Sequence, residues 1–182
     1  MGASTLKGVL QPKSTFSAHP RLDAKSGRLV NFSANQGSKS CNIVVYEFDD
    51  SMAVQKQTSF EVPGFVFFHD FIVTEKYYLF VQAPTVFDPL PFLAGMKGPA
   101  QCISFEKDKP SILHAVSRED PSNVQQVPLD AHFNFHFANA YDDEYGKIVF
   151  DVVWSSDMQL GEMKVQHLLL YIVRMTFKLL TV

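Results

Sequence analysis

Turn signals recur along this chain at intervals of about ten residues with short apolar runs between them, which is the pattern of antiparallel β-structure. The runs fall at residues 28–34, 41–48, 77–81, 101–105, 112–116, 124–127, 132–137 and 147–154. D-A-K-S-G (23–27) precedes the first, and N-Q-G-S (35–38) the second. After Pro63-Gly64, residues 65–80 (F-V-F-F-H-D-F-I-V-T-E-K-Y-Y-L-F) predict a buried strand that turns at T-E-K into a hairpin partner. In C-N-I-V-V-Y-E-F (41–48), Ile43 and Val45 share one face, while Val44, Tyr46 and Phe48 share the other. A strand apolar on both faces is covered on both sides. The spacing suggests a sandwich, a barrel or a propeller.

With 182 residues, 46% hydrophobic and 19% charged, the chain has the length and composition of one globular domain. Seventeen Phe imply either a large aromatic core or an apolar cavity for a hydrophobic ligand. A net charge of −3 offers no basic footprint, so no nucleic-acid partner is expected. Cys41 and Cys102 are far apart and form no C-x-x-C, which fits a reducing compartment such as the cytosol or a plastid. The N-terminus has no secretory core, and Leu6 stands where N-myristoylation needs Ser or Thr. There is no nucleophile elbow and no Gly-rich phosphate loop.

Chemistry therefore rests on the six histidines. His19 (F-S-A-H-P-R-L-D), His69 (F-V-F-F-H-D-F) and His136 (F-N-F-H-F-A-N-A-Y) stand out, each flanked by aromatic or small apolar residues. Asp70 follows His69 directly, so on a regular strand the two point to opposite faces and cannot share a metal. His132 and His136 would meet on a helix, but on a strand they lie about 13 Å apart. H-E-x-x-H is absent. What remains is convergence of distant histidines from different strands, a donor set suited to iron or zinc. Their separations, 50 and 67 residues, are compatible with successive blades around a propeller axis. His114 and His167 carry no such signal.

Taken in order, three segments resemble the carotenoid cleavage oxygenase family, the group that includes retinal pigment epithelial membrane protein. They are A-H-P-R-L-D-A-K-S-G-R-L-V-N-F (18–32), V-P-G-F-V-F-F-H-D-F-I-V-T-E-K-Y (62–77) and F-H-F-A-N-A-Y-D-D (135–143). P-F-L-A-G-M-K-G (91–98) and G-K-I-V-F-D (146–151) support them. The resemblance implies a seven-bladed β-propeller carrying Fe(2+) on its axis, held by four histidines. Three of these carry over as the metal ligands His19, His69 and His136. It also implies O2-dependent cleavage of a carotenoid or apocarotenoid double bond, with an apolar tunnel leading to the iron. Some members act on stilbenes or isomerise retinyl esters.

A chain of this length supplies only about three blades. The fourth histidine and the glutamates that orient the ligands have no counterpart in it. The expectation is therefore an all-β, partial seven-bladed propeller over residues 1–157, in a truncated product, with an atypical apolar tail at 158–182. Residues 165–182 lack Gly, Pro, Asp and Glu and carry Arg174 and Lys178. They suggest a buried element or an amphipathic surface helix rather than a membrane span. Residues 89–99 (P-L-P-F-L-A-G-M-K-G-P) predict an apolar packed loop or the lining of a ligand entrance. Peripheral membrane contact is a further expectation. An inactive propeller fragment and a β module binding an apolar ligand or a partner stand as the alternatives. An unrelated sandwich would hold the three imidazoles more than about 8 Å apart, since metal–nitrogen bonds near 2 Å bring ligands of one ion much closer.

Overall fold

A computed structural model describes residues 5–6, 8–10, 14–158 and 171–179, with Tyr171 as backbone alone. The first sheet is β1 (Arg21–Leu22), β2 (Leu29–Gln36), β3 (Ser40–Phe48) and β4 (Val54–Pro63), in that spatial order. The second comprises β5 (Ile72–Val73), β6 (Tyr77–Gln82), β9 (Ser111–Ser117) and β10 (Val124–Leu129), in the order β10-β9-β6-β5. Between β6 and β9 the chain makes an excursion through the short pair β7 (Thr85–Phe87) and β8 (Ile103–Phe105). A third sheet holds β11 (Phe137–Asp142), β12 (Lys147–Trp154) and β13 (Tyr171–Lys178). Every pairing between these strands is antiparallel. Each sheet is a meander that starts on a short or bulged strand, which is the build of a propeller blade.

The blades are held face to face by two apolar layers. Between the first and second sheets, Phe32, Phe71 and Phe80 meet with ring centroids 5.1–5.4 Å apart. All three are buried, and burial of each contributes about 1.5–3 kcal/mol. Between the second and third sheets, Leu79, Leu113, Phe137, Phe150 and Val152 form the corresponding layer. β3 is buried on both faces, as its sequence predicts: Ile43 and Val45 face the layer shared with the second sheet. Val44, Tyr46 and Phe48 face a separate cluster. Eight of the seventeen Phe are buried in the core.

Four local expectations are corrected. Residues 65–70 are not strand; the ladder begins only at Ile72, because the aromatic side chains here pack an irregular approach to the blade. Residues 132–136 are also irregular, with Phe133 making a single bridge to Ser155 before β11 begins. At 89–99 a five-residue helix, α1 (Pro89–Leu93), forms, its N-cap Asp88 accepting from the Leu90 N–H at 3.0 Å. It is not packed: Leu90, Phe92, Leu93 and nearby Met96 are exposed. The helical alternative for the tail gives way to β13, paired along its length with β12. His167 lies outside the described residues.

Candidate metal centre

His19 stands two residues before β1, His69 three before β5, and His136 immediately before β11. Each therefore enters at the first strand of its sheet, and the separations of 50 and 67 residues are the lengths of two blades. All the imidazoles meet at one point. Their candidate ligand nitrogens lie within 4.8 Å of one another, which excludes the sandwich alternative. The Nε2 atoms of His19 and His69 are 2.8 Å apart. The ring centroids are 4.6 Å (His19–His69), 4.8 Å (His19–His136) and 5.1 Å (His69–His136) apart. His19 and His69 are half-buried and His136 is exposed.

Such a donor set fits a metal ion. Bonds of 2.0–2.1 Å hold neighbouring imidazole nitrogens on one ion about 3 Å apart, close to the His19–His69 separation. Neutral imidazole is the ligating form. Burial, reinforced by the facing His19 and His136, lowers the pKa of His69 and favours that form, with Asp70 opposing.

Asp70 is where reasoning from the sequence falls short. Alternation on a regular strand would turn it away from His69, but residues 65–70 are irregular. Its buried carboxylate lies beside the cluster, engaged by Arg21 and the Phe137 N–H. Its Oδ2 pairs with Arg21 Nη2 and accepts the Phe137 N–H at 3.1 Å. The His136 Nδ1 lies 3.7 Å from the same oxygen, beyond hydrogen-bond distance. The signal in the sequence is a charged residue one or two places after each of two histidines, in H-D and H-P-R. Neither can be paired from spacing alone.

The remaining described histidines are elsewhere. His114, on β9, reaches Gln82 Oε1 at 2.9 Å. His132 stacks on Trp154 with ring centroids 4.0 Å apart and bonds the Asp130 carbonyl at 2.8 Å. Cys41 and Cys102 are free and buried, and burial pushes the Cys41 thiol up.

An aromatic file leads away from the cluster. Phe135 packs edge-on against His69 at 5.1 Å, then against Phe67 at 6.4 Å and Phe133 at 4.7 Å. Two residues before Phe67, Phe65 stacks on Phe87 at 5.5 Å and lines a cleft of about 860 Å³ with Pro84, Val86 and Ile112.

A family model for retinal pigment epithelial membrane protein matches residues 1–172. The chain belongs to that family. This bears out the carotenoid oxygenase resemblance carried by the three histidine motifs. Apocarotenoid-15,15'-oxygenase of Synechocystis sp. is 36% identical over 159 residues, covering 84% of this chain and 32% of that protein. Resveratrol cleavage oxygenase 1 of Aspergillus fumigatus is 26% identical over 144 residues, covering 78% and 28%. The crystal structure of cobalt-substituted apocarotenoid oxygenase from Synechocystis superposes with a TM-score of 0.88 at 29% identity. The match covers 97% of this chain and 39% of that one. The three sheets are thus part of a seven-bladed propeller. The chain spans about a third of the length of these curated relatives.

Proposed function

We propose that this chain contributes His19, His69 and His136 as ligands to the Fe(2+) centre of a carotenoid or apocarotenoid cleavage dioxygenase. The observation that carries this reading is the convergence of three imidazoles from the leading ends of three blades. Iron, when bound, supplies the redox chemistry by which O2 reacts with a polyene, a reaction that breaks one C=C bond and the O–O bond and forms two C=O bonds. The protein's own part is to hold the imidazoles together and to keep His69 neutral. No protein nucleophile is required.

The aromatic file and the cleft lined by Phe65 and Phe87 support this substrate class. An apolar chain gains by leaving water against such walls, and ring edges and faces give it contacts without demanding polar partners. The exposed Leu90, Phe92, Leu93 and Met96 suit peripheral contact with a membrane, the phase in which such substrates dissolve. Among the described residues no helix is long and apolar enough to cross one. The two free buried thiols fit a reducing setting, cytosol or plastid.

Anaerobic Fe(2+) titration of the chain tests the ligand assignment. Binding near one ion per chain, lost in His69→Ala, is expected. Unchanged binding in that variant overturns it. Supplying O2 and an apocarotenoid to the iron-loaded chain then asks whether aldehyde forms without the rest of the propeller.

A further inference from the structure

We propose that the buried Arg21–Asp70 ion pair is a positioning device for the histidine centre, fixing the three ligand-bearing segments relative to one another; this rests on the metal reading above. The strands that follow the histidines, β1, β5 and β11, belong to three different sheets, so no backbone ladder joins them. Something else must set their relative positions. The ion pair meets that need by holding both backbone groups of two residues. The Phe71 N–H donates to Asp70 Oδ1 at 2.8 Å, while the Phe71 carbonyl accepts from Arg21 Nε at 2.9 Å. The Phe137 N–H donates to Asp70 Oδ2 at 3.1 Å, and the Phe137 carbonyl accepts from Arg21 Nη2 at 3.3 Å. Arg21 itself is two residues beyond His19, Phe71 two beyond His69, and Phe137 one beyond His136.

The pair therefore locks one point next to each histidine onto a single planar fork. The Asp70 side chain is 1% exposed and Arg21 27%, so water competes little for the carboxylate. A second tie has the same effect on two of the segments: Ser17 Oγ donates to the His69 carbonyl at 3.4 Å and accepts the His19 N–H at 3.1 Å. Metal ligands must be held to within about 0.5 Å of productive geometry. Loss of groups that orient ligands typically lowers metal affinity about 10–100-fold.

The test is a Co(2+) titration of the 182-residue chain followed by visible absorption, with thermal melting of the metal-free protein alongside. Asp70→Asn and Arg21→Lys are each expected to weaken Co(2+) about 10–100-fold and to alter the shape of the ligand-field bands. Asp70→Glu keeps the charge but moves the carboxylate by one methylene, and it is expected not to restore either reading. Wild-type affinity and band shape in Asp70→Asn and Arg21→Lys overturn the proposal, as does full rescue by Asp70→Glu, which would leave charge alone as the cause. If Asp70→Asn does not fold, Arg21→Lys at its partly exposed position decides on the same readings. A wild-type chain that binds no Co(2+), or a His69→Ala variant that binds it like wild type, overturns the metal reading and the positioning role with it. Unaltered variants of a chain that does bind it overturn the positioning role alone.

Discussion

Asp70 and Glu47 are both buried carboxylates paired with arginine, and they are surrounded in opposite ways. Glu47, on β3, is met by side chains. Its Oε1 accepts from Tyr78 Oη at 2.5 Å and from Arg118 Nη2 at 2.8 Å, and its Oε2 from Arg28 Nη1 at 2.9 Å. Arg118 goes on to Asp23 at 2.8 Å and to the Thr74 carbonyl at 3.0 Å. This network ties the first sheet to the second and closes on itself. Asp70 is met largely by backbone, and the side chains beside its partners are imidazoles whose nitrogens face one another. A buried charge satisfied by side chains gives a joint. One satisfied by main chain frees the neighbouring side chains to act.

The largest effect that separates the two is the loss of Glu47. Burial pushes its carboxyl up, but hydrogen bonds from Tyr78, Arg28 and Arg118, with the Arg118 charge, outweigh this and hold it below the usual carboxylate range. Glu47→Ala leaves Arg118 with Asp23 as its remaining carboxylate partner and leaves the Tyr78 hydroxyl without its acceptor. Removing one member of a buried pair costs about 3–5 kcal/mol, and the low end applies here because Asp23 remains. Urea unfolding should show that loss, while Co(2+) affinity of the folded fraction stays at the wild-type value. Reduced affinity in the folded fraction would break the division between joint and site.

The joint and the site differ also in how far the sequence reveals them. Alternation and turns expose most blade strands, because a half-buried or doubly covered strand writes its burial into its residues. β4 escapes: V-Q-K-Q-T-S-F-E-V-P presents polar residues outward, and its buried face is only Thr58, Phe60 and Val62. Residues 65–70 mislead in the other direction, since an irregular segment packed by Phe67 and Phe68 is as apolar as a strand. The three histidines are legible through distant motifs. The Asp70 and Glu47 networks are not, because partners 49 and 71 residues away are brought together only by blade packing.

Acid sharpens the comparison further. His114 Nε2 donates to Gln82 Oε1, which leaves a buried Nδ1 without a hydrogen-bond partner, and burial pushes the pKa down to about 4. Below pH 6.5 the unfolded chain takes up a proton that the folded chain refuses until about pH 4. Stability is therefore complete above pH 6.5 and falls as the pH drops through that window, by about 3 kcal/mol at most. His132 is also lowered, by burial, and adds in the same direction. Glu47 remains ionised over most of this range, so the early acid loss belongs to buried imidazoles and not to the carboxylate joint. Urea unfolding of the metal-free chain between pH 7 and pH 4.5 should show the slope, and His114→Gln should flatten part of it. An unchanged slope in that variant assigns the loss elsewhere.

The smallest effect tests whether the Glu47 joint is a network or a single pair. Tyr78 is fully buried, and burial followed by the Glu47 carboxylate raises its pKa, so the phenol stays protonated and donates. Tyr78→Phe removes only that donor. Hydrogen bonds to charged groups contribute about 1.5–3 kcal/mol. The low end applies here, because Arg118 still covers the same Glu47 oxygen. A loss of about 1.5 kcal/mol in urea unfolding is expected. In the background of Glu47→Gln the same substitution should cost less, since the charge that strengthens the bond is gone. Equal losses in both backgrounds would mean that the phenol is not coupled to the Glu47 charge and that the joint is the ion pair. Unequal losses make the phenol a working member of the network that joins the first two blades.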